Sequence, residues 1–350
     1  MIKAKGYAAK SATSLLEPFS FERRMPSAED VQIEILYCGI CHSDLHMVRN
    51  EWNVTNYPVV PGHEIVGKVV KVGDQVKKFK AGDTVAVGCL VGSCHQCSGC
   101  QEGLEQYCEP GFTLTYNSPE KETGGITYGG YSDSIIVNQQ FVLRVPQSLD
   151  IKAVAPLLCA GITTYSPLRH WKVKKGDRVG VIGLGGLGHM AVKLAHALGT
   201  KVTMITTSPD KAQDAKRLGA DDVLLSTNSE IMAKFANYFD FIINTIPKNH
   251  DINPYLNLLK RDCTMVIVGA VEILKSGLDT RPLIFKRKSV AGSVIGGIKE
   301  TQEVLDFCAE HQVLPDVEMI PIQKINEAYE RMLKGDVKYR FVIDMASLKS

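Results

Sequence analysis

The residues best equipped for chemistry are the run Cys38-Gly39-Ile40-Cys41-His42-Ser43-Asp44-Leu45-His46 and, further along, Gly62-His63-Glu64. Together they offer thiolates, imidazoles, carboxylates and a hydroxyl, a mixture for which a structural core segment has little use. Zinc takes Cys sulfur, His nitrogen and Asp or Glu oxygen in a tetrahedral shell, and a catalytic zinc leaves one position open, so three protein ligands suffice. Cys41 and His63 are the first two candidates, with Glu64 in or beside the shell. Cys38, flanked by glycine, reads as packing. The plain alternative for the group is a buried free cysteine near a hydrogen-bonded core histidine.

A second cluster has tighter spacing. Cys94, Cys97, Cys100 and Cys108 follow C-x2-C-x2-C-x7-C, with Gly92, Gly99 and Gly103 allowing tight turns. Four thiolates on one short loop can close a tetrahedral shell with no open position, the mark of a structural zinc. His95 lies inside the loop and is not needed as a fifth ligand. The alternative, a pair of disulfides, belongs to secreted chains, and Met1-Ile2-Lys3-Ala4-Lys5 leads to no apolar signal region. Ten cysteines without that signal point to a reducing, cytoplasmic setting, where clustered cysteines more often bind metal.

The third site is a turn. Arg178-Val179-Gly180-Val181-Ile182 reads as a buried strand, Gly183-Leu184-Gly185-Gly186-Leu187-Gly188 follows at once, and Ala191, Leu194, Ala195 and Leu198 then recur on one helical face. A G-x-G-x-x-G alone is weak. Between a strand and a helix it predicts dinucleotide binding: the first glycine makes the turn, the second admits a pyrophosphate, and the third lets helix and strand pack. The next strand ends in Thr206-Thr207-Ser208 and carries no carboxylate at its tip; Asp210 lies too far along. An acid there would accept from a ribose 2′-OH and repel a 2′-phosphate. Small hydroxyls, with Lys211 one turn on, therefore favour NADP(H), although Ser208 before Pro209 also reads as an ordinary helix cap.

These sites need two kinds of scaffold. Residues 1 to about 90 read as short strands broken by Gly and Pro, a compact antiparallel barrel; Val31-Gln32-Ile33-Glu34-Ile35-Leu36 alternates like a half-buried strand. After the four-cysteine loop come a glycine-rich connection, 124–131, and strands at 134–137 and 141–145. Cys159 sits in an apolar segment, where a lone cysteine is usually core unless the fold returns it to Cys41 and His63. From about Gly176 strands (202–206, 223–225, 241–244, 264–268, 289–294) alternate with helices (210–218, 229–235, 254–260, 299–310), the pattern of a doubly wound parallel sheet. Ile325, Ala328, Tyr329 and Met332 mark an amphipathic helix before a last strand at 339–343.

Composition bounds the rest. The 350 residues suggest two domains, and 45% hydrophobic with 22% charged residues is ordinary globular usage. A net charge of +2 without a basic run gives nucleic acid no support. No apolar run reaches the roughly 18 residues of a membrane span.

With these pieces together, the chain resembles the zinc-dependent medium-chain alcohol dehydrogenases. The likeness is strongest to the cinnamyl alcohol dehydrogenase branch and the bacterial broad-specificity NADP-dependent aldehyde reductases. It covers essentially the whole chain; its most specific pieces are 38–45, 61–67, 94–108, Leu157-Leu158-Cys159-Ala160-Gly161, 183–189 and Lys338-Tyr339-Arg340-Phe341-Val342. The resemblance implies an α/β protein: a GroES-like β-barrel catalytic domain from both chain ends (1–159 and 293–350) and an inserted Rossmann domain (160–292). It implies two zincs per chain, the catalytic one on Cys41, His63 and Cys159, with Glu64 as an additional ligand. It makes Asp44 the carboxylate that orients the histidine, Ser43 the proton-passing hydroxyl and His46 the outer end of that relay; Glu51 stands where branch members often carry Asp. It assigns Leu187, Ser293 and Ile295 to the cofactor, and Met47, Trp52, Leu114, Val294 and Ile295 to a substrate pocket shaped differently from that of the lignin enzymes. The implied reaction is reversible hydride transfer from NADPH to a broad range of aldehydes, with zinc as Lewis acid, in a homodimer that needs neither membrane nor nucleic acid.

Three rivals remain at this level. An NAD-dependent alcohol dehydrogenase would share every motif except the strand tip. A zinc-free quinone or enoyl reductase would lack the cysteines. A non-catalytic zinc-and-nucleotide module would not require Cys41, Ser43, His63 and Cys159 together. A metal count of two, none or one per chain separates the dehydrogenases from the last two.

Overall fold

The alternating run at 31–36 becomes the strand Asp30–Gly39 of the computed structural model, which is described over residues 1–120, 123–269 and 272–349. Val31, Ile33 and Ile35 face inward, as a period of two requires. This strand is the hub of a seven-stranded, mostly antiparallel sheet with the order Leu143–Arg144, Thr84–Val87, Ile65–Val72, Asp30–Gly39, Arg340–Asp344 and Val317–Pro321; Ser134–Asn138 also pairs with the hub. The last strand of the chain lies antiparallel against the hub, with Val342 opposite Gly39 and Ile343 opposite Cys38. Both chain ends thus build one sheet beside the Cys38–His46 run. Helix Ile325–Leu333 buries Ile325, Ala328, Tyr329 and Met332, the stripe expected from sequence.

The chain divides into two compact units, Met1–Cys159 with Gly296–Ser350, and Ala160–Ile295. The second unit holds a six-stranded parallel sheet ordered Asp222–Leu225, Lys201–Thr206, Arg178–Ile182, Phe239–Asn244, Leu259–Ile267 and Ser289–Gly292. Strand order reverses beside Arg178–Ile182, and in such sheets ligands bind at the carboxyl ends next to the reversal. Its central strands are apolar on both faces; Val179, Val181, Ile205, Phe239 and Ile242 are all buried. Truncating a buried aromatic such as Phe239 to Ala is expected to cost about 3–5 kcal/mol.

Four elements differ from the sequence reading. The helix expected over 254–260 spans only Asn253–Leu256, because Leu259 and Lys260 already belong to a strand paired with Phe239–Asn244. The strand expected over 141–145 is the pair Leu143–Arg144 after a 3₁₀ turn, Gln139–Phe141. The helix expected from 210 starts as a 3₁₀ turn, Pro209–Lys211, before Ala212–Arg217. Helix Arg281–Lys286 carries no apolar stripe that would have announced it: Ile284 and Phe285 are exposed. The chain returns to the first unit at Gly296, where the sequence reading placed the boundary at 293. Among the described residues, no helix is long and apolar enough to cross a membrane.

Candidate active site and metal centres

Cys41, His63, Glu64 and Cys159 come from three places in the first unit: just before helix His42–Val48, the loop ahead of strand Ile65–Val72, and the end of the unit's first segment. One ligand atom from each lies within 4.8 Å of the others. The lone cysteine is therefore returned to the pair, and Cys41 Sγ and Cys159 Sγ stand 3.9 Å apart as free thiols. Asp44 Oδ1 accepts from His63 Nδ1 at 2.9 Å, which leaves Nε2 as the available donor atom of the imidazole. Glu64 is fully buried; Oε1 is paired with Arg340 Nη2, while Oε2 has no hydrogen-bond partner among the described residues.

The electrostatics ask for a cation. The Cys159 thiol, together with His63 and Arg340, pulls Cys41 well below the ordinary thiol range despite burial. Hydrogen bonds from Cys41 and Cys89 push Cys159 up instead, since two adjacent sulfurs do not both ionise in a buried site without a countercharge. Burial lifts Glu64 to about 7 even beside Arg340. Burial also pulls His63 down, but the charge and hydrogen bond of Asp44 prevail and raise it. A bound divalent ion deprotonates such thiols and satisfies the orphaned oxygen, so this donor set fits zinc.

The loop cysteines fit zinc differently. Their four Sγ atoms also lie within 4.8 Å of one another, with no disulfide. Backbone amides point at the sulfurs: Gln96 and Cys97 donate to Cys94 at 3.4 and 3.3 Å, Glu109 to Cys97 at 3.4 Å and Cys94 to Cys108 at 3.3 Å. Such donors favour thiolate, and the amides of Gln96 and Cys97 draw Cys94 down to about 6.

The remaining first-unit candidates have the following neighbours. Ser43 Oγ is 3.6 Å from Cys41 Sγ. His46, on the same helix, is paired through Nδ1 with Glu51, and its ring lies 5.3 Å from Trp52. Met47 is buried, with its sulfur 3.3 Å from Thr55 Oγ1 and 3.1 Å from Asn117 Nδ2; Leu114 pairs with Leu90. Cys38 is buried outside the donor set.

In the second unit, a Cβ on Gly188 would lie 1.9 Å from the Gly183 carbonyl, so strand and helix pack as closely as the third glycine of the motif allows, while a Cβ on Gly185 would meet nothing within 4 Å. Gly186 and Leu187 open helix Gly186–Ala197. Lys211 Nζ donates to the Leu184 carbonyl at 3.2 Å, which sets a positive charge over the turn. Thr206 Oγ1 accepts from Ser208 N at 3.1 Å; Ser208 occupies the N-cap position but makes no side-chain capping bond, and Thr207 is exposed. The turn and the strand tip thus fit a phosphate-bearing dinucleotide. Ser293 N donates to the Ile267 carbonyl at 3.2 Å; Val294 is half-exposed, and Ile295 holds φ +37°, a strained value for a β-branched residue.

The sequence reading quoted Arg340 without giving it a site role and did not single out Cys89. An arginine opening the apolar strand Arg340–Asp344 was the available signal, because a buried guanidinium requires a buried acid. Cys89, whose thiol the neighbouring Cys159 draws below its ordinary range, gave none beyond its type.

Comparison with known proteins agrees with this geometry. The family described as alcohol dehydrogenase GroES-like domain matches residues 27–147, and that described as zinc-binding dehydrogenase matches 186–310. The aldehyde reductase YahK of Escherichia coli (strain K12) is 57% identical over 349 residues, 99% of each chain. A cinnamyl alcohol dehydrogenase of Sorghum bicolor superposes with a TM-score of 0.94 at 48% identity, over 98% of both chains. A cinnamyl alcohol dehydrogenase of Helicobacter pylori complexed with NADP(H) superposes with a TM-score of 0.90 at 41% identity, over 99% of both. The chain belongs to the zinc-binding alcohol dehydrogenase family, with a GroES-like domain and a parallel-sheet nucleotide-binding domain.

Proposed function

We propose that this member is an NADP(H)-dependent aldehyde reductase of broad substrate range, reversible toward primary alcohols, with two zincs per chain. The observation that carries this reading is the buried set Cys41, His63, Cys159 and Glu64, with one carboxylate oxygen left without a partner among the described residues. Cys41, His63 and Cys159 would hold the catalytic zinc, with Glu64 as a further donor; Cys94, Cys97, Cys100 and Cys108 would hold the structural one. When bound, zinc supplies Lewis acidity toward an aldehyde oxygen and the reduced nicotinamide supplies hydride. Asp44 holds the His63 ring. Ser43 carries the proton that the product oxygen takes up, and His46, steadied by Glu51, is the outer end of that relay.

Thr206, Thr207 and Ser208 would donate to a 2′-phosphate and Lys211 would supply its countercharge; Gly183, Gly185, Gly186, Leu187 and Gly188 would receive the pyrophosphate, and Ser293 and Ile295 would also bind the cofactor. We assign Met47, Trp52 and Leu114 in the first unit, and Val294 and Ile295 in the second, to substrate recognition. The edge strand Ser289–Gly292, beside the exposed Ile284 and Phe285, is the surface we assign to a homodimer. The ten cysteines, all free, support a reducing setting, for which we propose the cytoplasm. The test is an initial-rate screen of aldehydes and alcohols with both cofactors, run beside a metal analysis. Activity confined to NADH, or turnover without zinc, would overturn the reading.

A further inference from the structure

The glycine-rich stretch before Ser132 has no part in the reaction described so far, yet it is fastened to the loop that carries His63. Gly129 N donates to Val60 O at 2.8 Å, Gly130 N to Gly62 O at 2.8 Å and Tyr131 N to Pro61 O at 3.0 Å. A Cβ on Gly129 would lie 2.4 Å from Pro61 O and 2.5 Å from Gly62 O, so only glycine permits this approach. Arg23, itself buried, grips the same turn through Tyr128 O (2.9 Å), Gly129 O (3.1 Å) and Ser132 Oγ (2.8 Å). The backbone of Tyr131 is thereby fixed relative to His63.

The Tyr131 side chain is fully buried, and its hydroxyl lies 3.3 Å from Asp44 Oδ2. The Asp44 carboxylate divides its donors between its two oxygens. Oδ1 accepts from Gly62 N at 3.0 Å and His63 Nδ1 at 2.9 Å; Oδ2 accepts from Cys41 N at 3.0 Å and from Tyr131. Tyr329 Oη, 3.5 Å from Tyr131 Oη, donates to that oxygen and leaves the Tyr131 proton for the carboxylate. Burial and the Asp44 charge push the Tyr131 phenol well above its ordinary range, so it remains a donor. Tyr116 frames the other side, its ring 5.9 Å from that of His63 and its hydroxyl 3.4 Å from Ser43 O.

We propose that Tyr131 is a positioning residue for the metal centre: its hydroxyl fixes the Asp44 carboxylate, which sets the His63 ring so that Nε2 faces Cys41, Glu64 and Cys159. The inference rests on reading that donor set as a zinc site. Partners one shell behind a metal ligand typically account for about 10–100-fold in metal affinity. Tyr131 acts one step further back, so the low end of that range applies.

The experiment follows zinc leaving the holoenzyme for a chromogenic chelator in wild type, Tyr131→Phe and Cys159→Ser. The release phase missing from Cys159→Ser belongs to the Cys41–His63–Cys159 site. Tyr131→Phe keeps the ring and every backbone contact, and it should speed that phase about tenfold while leaving the loop-zinc phase unchanged. In an Asp44→Asn background the same substitution should add nothing, because both act through one carboxylate. Cobalt exchanged into the site gives an independent readout should the Asp44 variant fail to fold: its visible bands should shift in Tyr131→Phe. An unchanged site-specific phase, equal acceleration of both phases, an undiminished effect in the Asp44→Asn background, or an unshifted cobalt spectrum would each overturn the proposal. A wild type with no phase missing from Cys159→Ser would remove the zinc reading itself, and the role of Tyr131 with it.

Discussion

The four-cysteine loop and the Cys41–His63–Glu64–Cys159 cluster each bring four donors within 4.8 Å, and they are built in opposite ways. The loop takes its thiols from one short stretch, half-exposed at Cys94 and Cys97, with backbone amides directed at three of its sulfurs. The cluster draws buried side chains from distant parts of the chain and, among the described residues, leaves a carboxylate oxygen unpartnered beside an arginine. Four thiolates complete a shell and offer nothing to a reactant. Two thiolates and an imidazole supply only three ligands and can keep a position open. On the proposed reading, the difference teaches that the same metal would serve stability in one place and turnover in the other.

The largest effect should come from the open site. Cys41→Ser, His63→Ala or Cys159→Ser should abolish measurable turnover and lower zinc content while leaving the circular dichroism spectrum and most of the melting temperature intact. Near-normal rates from a variant that has lost this zinc would end the assignment. Next is Ser43→Ala, expected to slow turnover by roughly two to four orders of magnitude, with Ser43→Thr keeping most of it. Equal rates of the Ala variant and wild type at neutral pH would remove Ser43 from the relay.

A smaller shift tests the nucleotide unit, which needs no metal. Thr206→Asp should move the ratio of kcat/KM for NADPH over NADH toward NADH by about 10- to 100-fold, since a carboxylate at the strand tip repels the 2′-phosphate. No movement would show that this tip does not read the cofactor. The smallest effect on chemistry belongs to the closed site. Cys97→Ser should lower the melting temperature by about 5–10 °C, the size of a loss of a few kcal/mol, while surviving molecules keep their hydride step. A fully stable but inactive variant would reverse the roles of the two sites.

Legibility in the sequence followed the same divide. The loop site could be read outright because its geometry is local: spacing alone places four sulfurs around a point. The glycine turn was equally plain, since strand, turn and helix are contiguous and Gly183 to Gly188 lie within them. Cys159 was different. A lone cysteine in an apolar stretch gains meaning only when the sheet formed by both chain ends brings it back, and the resemblance, rather than spacing, supplied that step. Arg340 and the Asp44–Tyr131 contact depend on pairings between residues far apart in sequence, which no local pattern encodes. Among the elements, the stretch from Asn253 carried a helical pattern that lost to strand pairing at Leu259, a tertiary override of local propensity. The pairing of His46 with Glu51 shows the converse: a short-range contact in which the longer acid still reaches the imidazole.

The division of labour is tested most directly by measuring zinc per chain, turnover and melting temperature together in wild type, Cys159→Ser and Cys97→Ser. The account predicts two zincs in the wild type and one in each variant, with Cys159→Ser folded but inactive and Cys97→Ser active but less stable. A single zinc in the wild type, or a Cys159→Ser protein that loses its stability and keeps its turnover, would contradict it.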